Sequence, residues 1–186
     1  MKKKVWETLS LDIPLTDGVS ASCENFTLKV TGPKGEVSKF MKYPNVEVKV
    51  EGTNVVILTK KLSKSEKKIM HTYRAHVNNL IKGVTEGFEY KLVILFAKFP
   101  MTVQVNNGVF IVKNLLGEKV PRTYNVPEDV KVEVKDNKDI IVTGIDKEKT
   151  GQVAASIEQV TRINHFDRRV IQDGIFITEK PHRRYA

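Results

Sequence analysis

The sequence predicts an α+β protein made of two tandem copies of one module, each an antiparallel or mixed β-sheet packed against a single helix. Three observations predict it. Val46-Glu-Val-Lys-Val50, Gly52-Thr-Asn54 and Val55-Val-Ile-Leu-Thr59 read as a β-hairpin, and Val130-Lys-Val-Glu-Val134, Asp136-Asn-Lys138 and Ile140-Ile-Val-Thr143 repeat it 84 positions later without a gap. The same offset runs into the following helical pattern, laying Ile69, Met70 and Tyr73 on Val153, Ala154 and Ile157, and back onto Phe110, Val112 and Lys113 from Phe26, Leu28 and Lys29. A length of 186 residues, 40% of them hydrophobic, is enough for one large core or two small ones. The expected division is residues 1–83 and 84–186, with the boundary in the stretch Gly83 to Gly87.

In chain order, Val19, Ala21 and Cys23 alternate with polar residues, and Phe26, Leu28 and Val30 alternate beyond Glu24-Asn25, which reads as a hairpin with one core face. Gly32-Pro-Lys-Gly35 is a turn, and Val37 to Met41 the returning strand. The first helix opens on a capping box, Ser63 with Glu66. It buries Ile69, Met70, Tyr73, Val77, Leu80 and Ile81, and Gly83 is placed to end it. Its other face carries Lys64, Lys67, Lys68, His71, Arg74 and Lys82. Phe88 to Ala97 is a mostly apolar strand, and the second helix starts at the N-cap Asp146 and buries Val153, Ala154, Ile157 and Val160.

Catalysis finds no support in these residues. His71 and His76 are five apart, about 140° around a helix, whereas an i, i+4 metal pair shares one face. The Gly32 turn lacks phosphate-loop spacing, and no nucleophile elbow, zincin or C-x-x-C motif occurs. No cofactor is implied. The lone Cys23 excludes an intrachain disulfide, which suits a reducing cytoplasm, and its expected role is that of a small buried apolar residue. The longest apolar run, Leu92 to Ala97, is far shorter than the ~20 residues of a membrane span, so the chain reads as soluble and unexported, with no membrane partner.

The charge points to a polyanion. Lys and Arg number 31 against 22 Asp and Glu, a net charge of +9 shared by both halves of the chain. The densest basic surface is C-terminal: Arg162, His165, Arg168 and Arg169, then a short strand Ile175-Phe-Ile177, then Lys180-Pro-His182-Arg183-Arg184-Tyr185, an arm in which Arg forks onto phosphate and Tyr offers a stacking face. A second patch is the loop Lys113-Asn114-Leu-Leu-Gly117-Glu-Lys119 with Arg122, and Lys147, Lys149 and Gln152 open the second helix. A competing reading is a protein–protein adaptor that recruits an acidic partner through Phe40, Tyr43 and the basic helix face of the first module.

Gly83-Val-Thr-Glu-Gly-Phe88 followed by Lys91-Leu92, and Asp146-Lys147 with Gly151-Gln-Val-Ala-Ala155, resemble the signatures of the large-subunit ribosomal protein family numbered six. Phe99-Pro100, Asn114 to Lys119, and Asp167-Arg168-Arg169 with Asp173-Gly174-Ile175 resemble its archaeal form, whose eukaryotic counterpart is numbered nine. The resemblance implies a cytoplasmic, non-catalytic ribosome component that binds large-subunit rRNA near the stalk base and the sarcin–ricin loop. Its implied neighbours are stalk-base proteins and, transiently, translation GTPases. It also implies that the second domain is the rRNA anchor, through Asn114, Gly117, Lys119, Arg122, Lys147, Gln152 and the Arg168-Arg169 region. The tail from Lys180 to Tyr185 rests on charge alone.

Overall fold

A computed structural model describes residues 9–60, 63–164, 166–167, 169–181 and the backbone of 183–184. The chain divides into two compact units, residues 1–87 and 88–186. In the first, β1 (Leu9–Pro14), β6 (Asn54–Thr59) and β5 (Val46–Glu51) form one sheet in that order. β2 (Ser20–Glu24), β3 (Thr27–Gly32) and β4 (Gly35–Phe40) form a second. The helix α1 (Lys64–Thr85) packs against both.

The second unit repeats this plan. β11 (Val130–Lys135), β12 (Asp139–Gly144), β7 (Phe88–Leu95), β13 (Gly174–Lys180) and β14 (Arg183–Arg184) make a five-stranded sheet in that order. β10 (Arg122–Asn125), β9 (Val109–Lys113) and β8 (Thr102–Asn106) make a three-stranded one, and α2 (Lys147–Val160) covers the unit. Every strand pairing is antiparallel.

Burial follows the repeat. Glu66, Met70, Tyr73 and Val77 of α1 are buried, and so, 84 positions on, are Thr150, Ala154, Ile157 and Thr161. The ungapped hairpin register expected from the sequence gains one residue in the turn, Gly52-Thr53 against Asp136-Asn137-Lys138, so Val46 pairs with Thr59 but Val130 with Gly144; only β5 and β11 keep the offset of 84. The first hairpins do not: Glu24 closes on Thr27 and Asn106 on Val109, an offset of 82, so buried Leu28 and Val30 match buried Phe110 and Val112. Expectation placed Phe26 on Phe110 and on a core face. Phe26 instead sits in the two-residue turn after β2, at φ 61, where the second unit has Gly108, and it is 51% exposed.

The helix ends also differ from expectation. α1 continues through Gly83 to Thr85, with Gly83 buried and costing the helix only its propensity. The turn comes at Gly87, which has φ 77. The Ser63 hydroxyl accepts from the Ser65 amide at 3.3 Å and donates to the Glu66 carboxylate, so the box closes side chain to side chain. Asp146 caps α2 as expected, its carboxylate accepting from the Glu148 amide at 2.8 Å. Cys23 is half-buried, its thiol 3.4 Å from the Val48 carbonyl and raised in pKa by burial.

Two close approaches hold the units together internally. Gly32 lies against α1 so tightly that a Cβ there would stand 2.7 Å from Val84 Cγ2 and 3.1 Å from its carbonyl oxygen. Asn137, at φ 49 in the β11–β12 turn, bridges the two sheets of the second unit. Its Oδ1 accepts from the Val103 amide at 2.9 Å and its Nδ2 donates to the Met101 carbonyl at 2.7 Å.

Gly32→Ala is expected to destabilise the first unit by about 1–3 kcal/mol through overpacking, read as a lower denaturant midpoint at unchanged slope. Asn137→Gly keeps the left-handed backbone and loses both side-chain bonds, so a loss of about 1–3 kcal/mol in the same measurement is expected. A neutral result would show that the two sheets are held together elsewhere.

Candidate nucleic-acid interface

The α2 helix sorts the basic residues of the second unit into two groups. Its N-terminus lies beside the start of β7, since the Lys147 ammonium stands 6.0 Å from the centre of the Phe88 ring. Its C-terminus lies beside the start of β13, where Thr161 Oγ1 accepts from the Ile175 amide at 2.9 Å. Fourteen residues at 1.5 Å each separate the ends by about 21 Å.

Lys147, Lys149 and Gln152 belong to the first end, with Lys149 ion-paired to Asp129, a contact that raises the lysine pKa through the hydrogen bond. Lys180 and β14 lie at that end too, because β13 runs antiparallel to β7 and pairs Glu179 with Lys91. The side chains of Arg183 and Arg184, and all of Arg168, His182 and Tyr185, lie outside the described residues.

The other end gathers the loop between β9 and β10. In the first unit the equivalent connection is the two-residue turn Pro33-Lys34, and pairing of Val37 with Val30 against Arg122 with Val112 raises the offset from 82 to 85. The second unit therefore gains three residues here. Asn114 turns the chain at φ 61, its side chain donating to the Pro100 carbonyl at 2.9 Å. Leu115 plugs the core, and Gly117 at φ 81 reverses the backbone again. Lys113 and Lys119 stand exposed on either side, and neither side chain has a partner among the described residues.

Arg122, expected as a phosphate contact, is committed inside the unit. Its Nη1 donates to the Val160 and Arg162 carbonyls at 2.8 and 2.9 Å, satisfying the orphan end of α2. Nε and Nη2 grip Glu118 at 2.8 and 2.6 Å. That grip holds the Glu118 carboxyl below its ordinary value, so its contribution is present above about pH 4.5 and is lost as pH falls through the depressed folded value. Arg162 projects its own side chain outward from the same corner. Arg169 is exposed and clasps Asp167 bidentately, with Nη2 at 2.8 Å.

The strand expected over Phe88 to Ala97 ends at Leu95, and the loop that follows it to β8 supplies side chains that were not among the expected site residues. Phe96, Lys98 and Phe99 are exposed there, and Phe99 sits over the Gly117 backbone, 3.9 Å from where a Cβ would be. The loop is pinned by the buried Asp173 carboxylate on the Ala97 amide at 2.9 Å, by Asn114 on Pro100 and by Asn137 on Met101. Phenylalanines interleaved with lysine outside any regular alternation were the available signal. The adaptor reading fares less evenly: Phe40 is 64% exposed, but Tyr43 is half-buried.

Comparison with known proteins agrees with this anatomy. The family model described as Ribosomal protein L6 matches residues 15–87 and again 99–174, one match in each unit. The chain is similar to the large ribosomal subunit protein uL6 of Methanothrix thermoacetophila, 42% identical over 91% of this chain and 95% of the relative. It is 44% identical to uL6 of Methanobrevibacter smithii and 45% identical to that of Picrophilus torridus, each across 91% of this chain and 94% of the relative. The duplicated module and the archaeal relatives agree with the resemblance carried by the signatures at Gly83 and Asp146, and the chain belongs to the ribosomal protein L6 family.

Proposed function

We propose that the protein is a structural, non-catalytic component of the large ribosomal subunit that binds rRNA through the second unit, at the end formed by the loops 96–100 and 114–122 and the C-terminus of α2. The observation that carries this reading is the three-residue expansion of the β9–β10 connection. It converts a turn that only packs on a helix into a rigid loop presenting Lys113, Asn114, Gly117 and Lys119. Left-handed Asn114 and Gly117 bring the backbone close to whatever the loop touches, and the lysines release counterions from a phosphate backbone.

Lys147, Lys149, Gln152 and Lys180 form a second contact about a helix length away, which suits a folded RNA read by shape across two points. The family resemblance supports a location near the stalk base and the sarcin–ricin loop, with stalk-base proteins and translation GTPases as neighbours. No membrane or small-molecule partner enters the reading.

For about six neutralised phosphates, binding to purified large-subunit rRNA against bulk tRNA is expected to weaken with a log–log salt slope of order −4 to −5. Lys119→Ala should shallow that slope by about 0.7–0.9. A slope near zero, or binding abolished by tRNA, would overturn the reading. Arg122→Gln separates structure from contact. It should lower stability by about 1–3 kcal/mol, since it strips bonds from the end of α2, and leave the slope of the protein that remains folded unchanged. An unaltered melting temperature with a shallower slope would return Arg122 to the phosphate contacts.

A further inference from the structure

Counterion release accounts for the lysines but not for the aromatic rings among them. Phe99 is 46% exposed and Phe96 45% exposed, on the loop 96–101, whose backbone is tied down at Ala97, Pro100 and Met101 by three different side chains, those of Asp173, Asn114 and Asn137. Slack in the loop is therefore not why the rings face outward. The register fixes what surrounds Phe99. Lys98 precedes it, Thr102 three residues on pairs with Lys113, and Gly117, two residues from Lys119, lies against the edge of its ring.

We propose that Phe99 is a base-stacking platform. Its ring receives an unpaired rRNA base, while Lys98, Lys113 and Lys119 meet the phosphates on either side of it. Double-stranded RNA offers a protein little base surface, whereas an unstacked base has a π-face that any aromatic ring accepts irrespective of sequence. An aromatic held rigidly costs little to order on binding, and the three clamps supply that rigidity. Gly117, which takes the left-handed conformation at φ 81, carries the loop backbone past the edge of the ring. The inference rests on the rRNA-binding reading and adds a contact that salt does not titrate.

The test is equilibrium binding of the full chain to purified large-subunit rRNA with tRNA competitor, comparing Phe99→Ala, Phe99→Leu and Phe99→Tyr. Stacking predicts that Ala and Leu weaken binding by about 5- to 100-fold, that Tyr stays close to the parent, and that the salt slope is the same in all four proteins. Phe99→Leu is the deciding variant, because it keeps an apolar group against Gly117 and the fold while losing the π-face. Parental affinity in Phe99→Leu would overturn the platform and leave Phe99 as packing, or as the contact of a protein neighbour. If the parent protein itself fails to hold rRNA against tRNA, the rRNA-binding reading falls and takes the platform with it. A parent that binds while all three variants bind equally sinks the platform alone.

Discussion

Each unit depends on how the open end of its helix is satisfied. The last carbonyls of a helix have no intrahelical donor, and burying that end beside a sheet requires a partner that reaches it. Both units use a cation at the return into the third strand of one sheet, β2–β3–β4 in the first and β8–β9–β10 in the second. In the first, the Lys34 amide donates to the Val84 carbonyl at 2.9 Å and its ammonium to the Glu86 carbonyl. In the second, the Arg122 guanidinium donates to Val160 and Arg162. The positive charge also faces the negative end of the helix dipole. One device thus ties hairpin to helix twice, and it explains why Gly32 must let the strand approach Val84 so closely.

The duplication shows what was free to change once that tie was in place. Lysine reaches the α1 terminus from a two-residue turn, whereas the longer, forked arginine does so from the first residue of β10. The chain between β9 and β10 is then released from capping and can grow, and the offset steps from 82 to 85 at this connection. The candidate interface lies in that growth. Its rigidity comes from Asn114, Asp173 and Asn137, none of which belongs to the loop 96–101 they pin.

Much of this was legible in the sequence, and the remainder was not for identifiable reasons. Hairpins and helices announce themselves through local periodicity, so the Val46 and Val130 hairpins, the Ser63 and Asp146 caps and the stripe from Met70 to Ile81 read correctly. β1 is hard to read locally although Leu9, Leu11 and Ile13 alternate, since its partner strand β6 is remote in sequence and no local turn signals the pairing. Phe26 was placed on a core face because alternation cannot see that Asn25 and Phe26 both take positive φ and make a two-residue turn. Composition cannot tell a capping arginine from a phosphate-binding one, which is how Arg122 joined Lys119 in the same list of expectations. The left-handed Asn137 bridge is likewise invisible until β8 is brought beside it.

The cations of the second unit therefore fall into two physical kinds, and the difference decides which of them an RNA can take. Lys149 with Asp129 and Arg169 with Asp167 are exposed ion pairs. Such pairs are weak and screened by salt, so an incoming phosphate can displace the carboxylate at little cost. Arg122 makes four hydrogen bonds, two of them to the Val160 and Arg162 carbonyls at and just past the end of α2, and moving it would break all four. Counting basic residues treats all of these as equal. Counting what each would have to give up leaves Lys98, Lys113, Lys119 and Arg162 as charges of this corner available without loss, and they surround the place where Phe99 is held open.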